Sequence, residues 1–155
     1  MYLDPERKIA FFSNPRTAST ATTWVLWHEY GLRRQGSRHH VQAMPGWKTV
    51  CTVRNPLDTL VSWYYLHRNF EGSFQEWLDT PECHNKWVKR GLFFALPYSE
   101  CVLRYEHLQE DFDKLCDEVG WPRRTIPRKN QGLLRSGRPW QEVVAGCTIP
   151  PIRLM

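Results

Sequence analysis

Apolar residues recur along this chain in two rhythms. Ile9 to Phe12 and Val50 to Val53 are short runs of β-branched and aromatic residues, the pattern of buried strands. After each run the period lengthens. Trp24, Val25, Leu26 and Trp27 lie about one turn beyond a hydroxyl-rich start, and Leu57, Leu60, Val61 and Tyr64 recur at helical spacing once Asn55-Pro56 has broken the second strand. Cys101 to Leu108 reads as a third strand ending in polar residues, and Phe112, Leu115, Cys116 and Val119 mark one helical face until Gly120-Trp121-Pro122 stops it. The middle of the chain is aromatic and helical: Phe74, Trp77 and Leu78, then Trp87, Val88, Leu92, Phe93 and Leu96, broken by Pro81 and Pro97. Repeated strand, turn and helix predict a three-layer α/β/α domain over residues 1–155, with a mainly parallel central sheet and an irregular tail from about residue 123.

The candidate chemistry lies in the turns, because such folds bind ligands at the carboxyl ends of their strands. In the first turn Arg16, Thr17, Ala18, Ser19 and Thr20 surround the opening N–H groups of the next helix, where unbonded donors and the positive helix end both favour an anion. This is no Walker A loop, since Gly-x-x-x-x-Gly-Lys-Ser/Thr is absent. By itself the stretch equally fits an ordinary hydroxyl-capped helix with a surface arginine. In the second turn Arg54 ends the strand and Ser62 follows eight positions later, slightly over two helical turns, so both can face one side of the helix start.

Taken together, the two turns resemble those of the sulfotransferase family that uses 3′-phosphoadenosine 5′-phosphosulfate (PAPS). Pro15-Arg16-Thr17-Ala18-Ser19-Thr20 is similar to the family's Pro-Lys-Ser-Gly-Thr-Thr loop, with Arg16 on its lysine and Ala18 on its glycine. Arg54-Asn55-Pro56-Leu57-Asp58 with Ser62 resembles its 3′-phosphate motif. The resemblance implies a P-loop-like sulfotransferase fold. It also implies that Arg16 stabilises the bridging and leaving oxygens, that the loop amides with Thr17, Ser19 and Thr20 hold the 5′ end, and that Arg54 with Ser62 holds the 3′-phosphate. PAPS would be the co-substrate, 3′-phosphoadenosine 5′-phosphate (PAP) the product, and no metal would be required. The acceptor would be a small-molecule or glycan hydroxyl or amine.

Three further matches follow from the same resemblance. Relatives often place a histidine between the two phosphate motifs, and His40-Val41-Gln42-Ala43 resembles that pattern without its usual threonine, which makes His40 the expected general base. If His39 to Ala43 is extended, His39 and His40 point to opposite faces and one alone enters the cleft; the plain alternative puts both on a solvated loop edge. Tyr105, within a strand similar to the family's Leu-x-Tyr-Glu-Asp-Leu piece, matches a tyrosine near the adenine, and Glu106 matches a structural acceptor. Arg128-Lys129-Asn130 partly matches the family's Arg-Lys-Gly segment, which assigns Lys129 to the 3′-phosphate.

Charge and cysteine content narrow the alternatives. The formal net charge of +5, from 21 basic and 16 acidic side chains, suits a polyanionic ligand. The basic residues are spread out and accompany no nucleic-acid-binding signature, so nucleotide phosphates explain the charge better than DNA or RNA does. Five cysteines without CxxC spacing read as reduced thiols, and Cys83-His84 lacks a second pair at metal-ligand spacing. No long apolar run suggests a signal peptide or membrane span, so a soluble cytoplasmic protein is expected, with no oligomeric state indicated. The competing class is a P-loop-like nucleotide-binding protein or kinase without sulfotransferase activity.

Overall fold

A computed structural model describes residues 1–37, 39–66, 70–83, 92–127 and 138–151. The chain divides into two compact units, one of Met1–Arg54 with Ala95–Lys129, the other of Asn55–Phe94 with Asn130–Met155.

The first unit is a mixed α/β body built on a five-stranded open sheet, in which strand β3 (Arg33–Arg34) lies at one edge and is followed by β1 (Tyr2–Asp4), β2 (Ile9–Phe12), β4 (Lys48–Val53) and β5 (Cys101–Arg104). β2, β4 and β5 run parallel, with Phe12 opposite Cys51 and Val53 opposite Arg104. β1 pairs antiparallel with β2 and with β3, so the sheet is mixed where the sequence pattern predicts a mainly parallel one. The reason is local: residues 5–8 are too few for a crossover, and a connection that short joins neighbouring strands only as a hairpin.

Two helices of this unit share one core with the sheet. Helix α1 (Ser19–Tyr30) contributes Ala21, Val25 and Leu26, α5 (Leu108–Val119) contributes Phe112, Leu115 and Cys116, and the strands contribute Ile9, Phe11, Val50 and Leu103. Each helix ends at a glycine in the left-handed region, Gly31 (φ 71°) and Gly120 (φ 73°), which lets the chain turn back onto the core without steric cost. At α1 the Gly31 and Leu32 amides return to the carbonyls of Trp27 and Leu26. Arg104 locks β5 to α5: its Nε and Nη2 donate to Asp111 at 2.8 Å each, and its backbone N–H adds a bond of 2.9 Å. These bonds hold the buried Asp111 carboxyl well below its ordinary value, at about 2.

The second unit is helical among its described residues. It contains α2 (Pro56–Tyr64), α3 (Phe74–Leu78), the short α4 (Pro81–Cys83) and α6 (Trp140–Val144). α6 gives regular structure to part of the stretch that the sequence reads as an irregular tail. Leu60, Val61, Phe74, Trp77 and Leu78 are buried, and the Tyr64 ring meets Phe74 edge-on at 5.5 Å. Side chains satisfy the opening turns here. Asn55 Oδ1 accepts from the amides of Leu57 and Asp58, and Ser73 and Glu76 form a reciprocal capping box. No helix among the described residues is long and apolar enough to cross a membrane.

Candidate anion-binding site

The three parallel strands end along one edge of the sheet. β2 opens there into the loop Ser13 to Ala18, β4 delivers Arg54 and β5 delivers Tyr105. Register does the positioning: because Val53 lies opposite Arg104, the next residues on the two strands, Arg54 and Tyr105, emerge side by side.

Two buried polar residues that the sequence reading did not single out hold the loop. Asn14 donates through Nδ2 to the Thr52 carbonyl at 2.9 Å and accepts on Oδ1 from the Ala95 amide at 3.1 Å, which ties β2, β4 and the chain before β5 together. Thr52 shares a 2.5 Å hydroxyl bond with Thr17, whose Oγ1 also lies 2.8 Å from the Asn14 carbonyl. Thr17 is fully buried, so its hydroxyl serves the loop. The second Asn-Pro pair could have drawn attention to Asn14: Asn14-Pro15 and Asn55-Pro56 both follow strands, one cross-linking strands and the other capping a helix.

Backbone conformation then decides what this loop can bind. Arg16 (φ 63°) and Ala18 (φ 59°) are left-handed, while Thr17 between them is not. Alternating hands turn successive N–H groups toward one side and form a concavity that suits an anion. Ala18 is the N-cap of α1, makes no side-chain capping bond, and is followed by no acidic residue in the first turn. The alternative of an ordinary hydroxyl-capped helix therefore does not describe α1. Its nearby hydroxyls point elsewhere: Thr22 and Thr23 bond back to the carbonyls of Ala18 and Ser19. Ser19 is buried and Thr20 exposed at the helix start. Ser13 Oγ, at the base of the loop, is buried with no hydrogen-bond partner among the described residues.

Two cations meet at this loop, Arg16 within it and Arg54 beside it. Arg54 Nη1 donates to the Arg16 carbonyl at 3.2 Å, and its Cζ lies 4.1 Å above the centroid of the Tyr105 ring. Burial, reinforced by the charge of Arg54, pushes the Arg16 guanidinium below its ordinary value, a direction that an incoming anion would reverse.

His39 and His40 part company. The segment is not a strand; both side chains are exposed, and residue 39 sits in a turn. His39 Nδ1 lies 2.7 Å from the Ser13 carbonyl, an oxygen that can only accept, so Nδ1 carries the proton and Nε2 holds the lone pair of the neutral ring. His40, the residue expected from the sequence, is linked to its own loop instead, through Gln42 Oε1 at 3.3 Å and its amide on the Ser37 carbonyl. Glu106 sits exposed in the 3₁₀ turn after β5. Ser62 is buried on α2 of the second unit, and Lys129 lies outside the described residues.

Among the described residues no group of three or more His, Cys, Asp or Glu gathers that could hold a metal ion. Compared with known proteins, the chain matches no family model and has no significant match among curated sequences.

Proposed function

We propose that this chain is a sulfotransferase that moves a sulfuryl group from PAPS to an acceptor hydroxyl or amine. The observation that supports it most is the uncapped start of α1, entered through a left-handed loop with Arg16 and Arg54 joined across it. Side chains already occupy the starts of α2 and α3, and the uncapped α5 and α6 carry acidic residues in their first turns, whereas α1 has an uncapped first turn with no acidic residue and Arg16 and Arg54 beside it.

In the proposed reaction the acceptor oxygen forms a bond to sulfur while the bond from sulfur to the bridging oxygen of the 5′-phosphate breaks, leaving PAP. Charge spreads over three equatorial oxygens and the leaving phosphate, so fixed positive charge and positioning supply most of the acceleration. The amides of Ala18 and Ser19 would hold the 5′-phosphate, Arg16 would stabilise the leaving oxygen, and Arg54 would take the 3′-phosphate. The acceptor proton would go to a histidine. His39 fits this role better than His40, because its hydrogen bond to Ser13 fixes the ring at the loop with Nε2 as the basic atom.

The test is transfer of labelled sulfuryl from PAPS to a panel of phenol, sugar and amine acceptors. Transfer in which His39→Ala lowers kcat by about 10²–10⁴-fold, with PAP binding intact, supports the reading. Transfer abolished by His40→Ala and not by His39→Ala would return the base to His40. Magnesium-dependent ATP turnover without any sulfuryl transfer would replace the sulfotransferase with a kinase-like enzyme.

A further inference from the structure

We infer that Tyr105 is a positioning residue of the anion site, its ring holding the Arg54 guanidinium against the loop. The inference rests on reading that loop as an anion site, and it gives Tyr105 a different task from lying beside an adenine. Arg54 is in an awkward place: its neighbour Arg16 is also cationic and partly buried, and repulsion favours a rotamer that swings one guanidinium into solvent. Two contacts oppose that swing. The hydrogen bond to the Arg16 carbonyl fixes one edge of the guanidinium, and the Tyr105 ring, 4.1 Å from Cζ, covers one face with the negative side of its quadrupole.

The arrangement is built into the sheet. Arg54 and Tyr105 follow the paired residues Val53 and Arg104 of adjacent parallel strands, and Arg104 is clamped to Asp111 by three hydrogen bonds. The base of Tyr105 is therefore rigid, while the ring itself remains 38 % exposed at the mouth of the loop. A rigid aromatic beneath a flexible cation reduces the ordering that binding must impose on it. The contact to Arg54 is through the ring face, so phenylalanine should serve as well.

The experiment compares wild type, Tyr105→Phe and Tyr105→Leu by calorimetric titration with two probes: PAP, which carries a base, and inorganic pyrophosphate, which does not. Positioning predicts that Tyr105→Leu weakens PAP, whose 3′-phosphate Arg54 would take, by about five- to tenfold and pyrophosphate, which lacks that phosphate, by no more than the few-fold that Arg54 gives the loop, and that Tyr105→Phe stays within about twofold of wild type for both. In the Arg54→Ala background the effect of Tyr105→Leu should vanish for both probes. A loss of PAP affinity that Tyr105→Leu still causes in the Arg54→Ala background would mean that the ring stacks on the base and would overturn the inference. So would a Tyr105→Leu protein that binds both probes like wild type. A ligand-free readout stands beside these: the Arg54 side-chain resonances should show an upfield ring-current shift that Tyr105→Leu abolishes and Tyr105→Phe keeps, and its absence in wild type would refute the contact. Wild-type protein that binds neither probe, with the ring-current shift intact, would overturn the anion-site reading itself.

Discussion

Replacing Ala18 with glycine should stabilise the protein. Ala18 holds φ 59° and ψ 16°, the left-handed region in which a Cβ crowds the following carbonyl. For an L-residue that conformation costs roughly 1–2 kcal/mol, and glycine escapes it. Glycine also loses more freedom on folding, which returns about 0.5–1 kcal/mol. The net expectation is a gain of about 0.5–1 kcal/mol, or a rise of roughly 1–4 °C in Tm for a chain of this size. The surroundings hold the conformation in place, because the Ala18 carbonyl accepts from the amides of Ala21 at 2.9 Å and Thr22 at 3.1 Å, so the substitution should not let the loop relax into another shape. Urea denaturation of wild type, Ala18→Gly and Ala18→Val measures it. Valine, branched at Cβ, should lose about 1 kcal/mol or more at the same position. If glycine is neutral or harmful while valine is tolerated, the left-handed turn does not exist in solution, and the concavity inferred from it falls as well.

Two further outcomes follow from the same geometry. Arg54→Ala should weaken PAP by about 10–100-fold, as expected for loss of a charge-assisted bond, while adenosine 5′-phosphosulfate, which lacks the 3′-phosphate, should weaken only a few-fold through the lost support of the Arg16 carbonyl; equal losses by calorimetry would make Arg54 a holder of the loop alone. Asp111, whose folded value of about 2 lies below its ordinary 3.8, adds stability that is complete above about pH 4 and is lost as pH falls toward 2, so the denaturation midpoints of wild type and Asp111→Asn should differ at pH 6 and converge near pH 2; a gap that stays constant with pH would sever the carboxylate from that stabilisation.

The three strand-helix pairs were legible because their signals are local. The continuous apolar run of Ile9 to Phe12 and the helical face of Phe112, Leu115 and Cys116 need no partner to be recognised. β1 and β3 were not legible. Tyr2–Asp4 is too short to show a period, and Arg33–Arg34 is wholly polar and exposed, a pair of edge residues that hydropathy reads as loop. Within the site, the types of residue were visible and their directions were not. Nothing in Pro15-Arg16-Thr17 tells that the Thr17 hydroxyl turns inward to Thr52, a residue far along the chain on the neighbouring strand. The convergence of Arg54 on Tyr105 depends on parallel register, which alternation along either strand leaves undetermined. The two histidines could not be told apart for a different reason: choosing between them by strand alternation presumes a strand, and residues 39–43 form none.

The central claim is that the loop before α1 and Arg54 together read a nucleotide bearing phosphates on both its 5′ and 3′ positions. PAP and ADP are isomers of the same composition and differ in where the second phosphate sits, which makes them a matched pair for calorimetric titration of the wild-type protein without magnesium. The account predicts that PAP binds at least about tenfold more tightly than ADP, the equivalent of about 1.4 kcal/mol assigned to the 3′-phosphate. Equal affinities, or a preference for ADP, would contradict it.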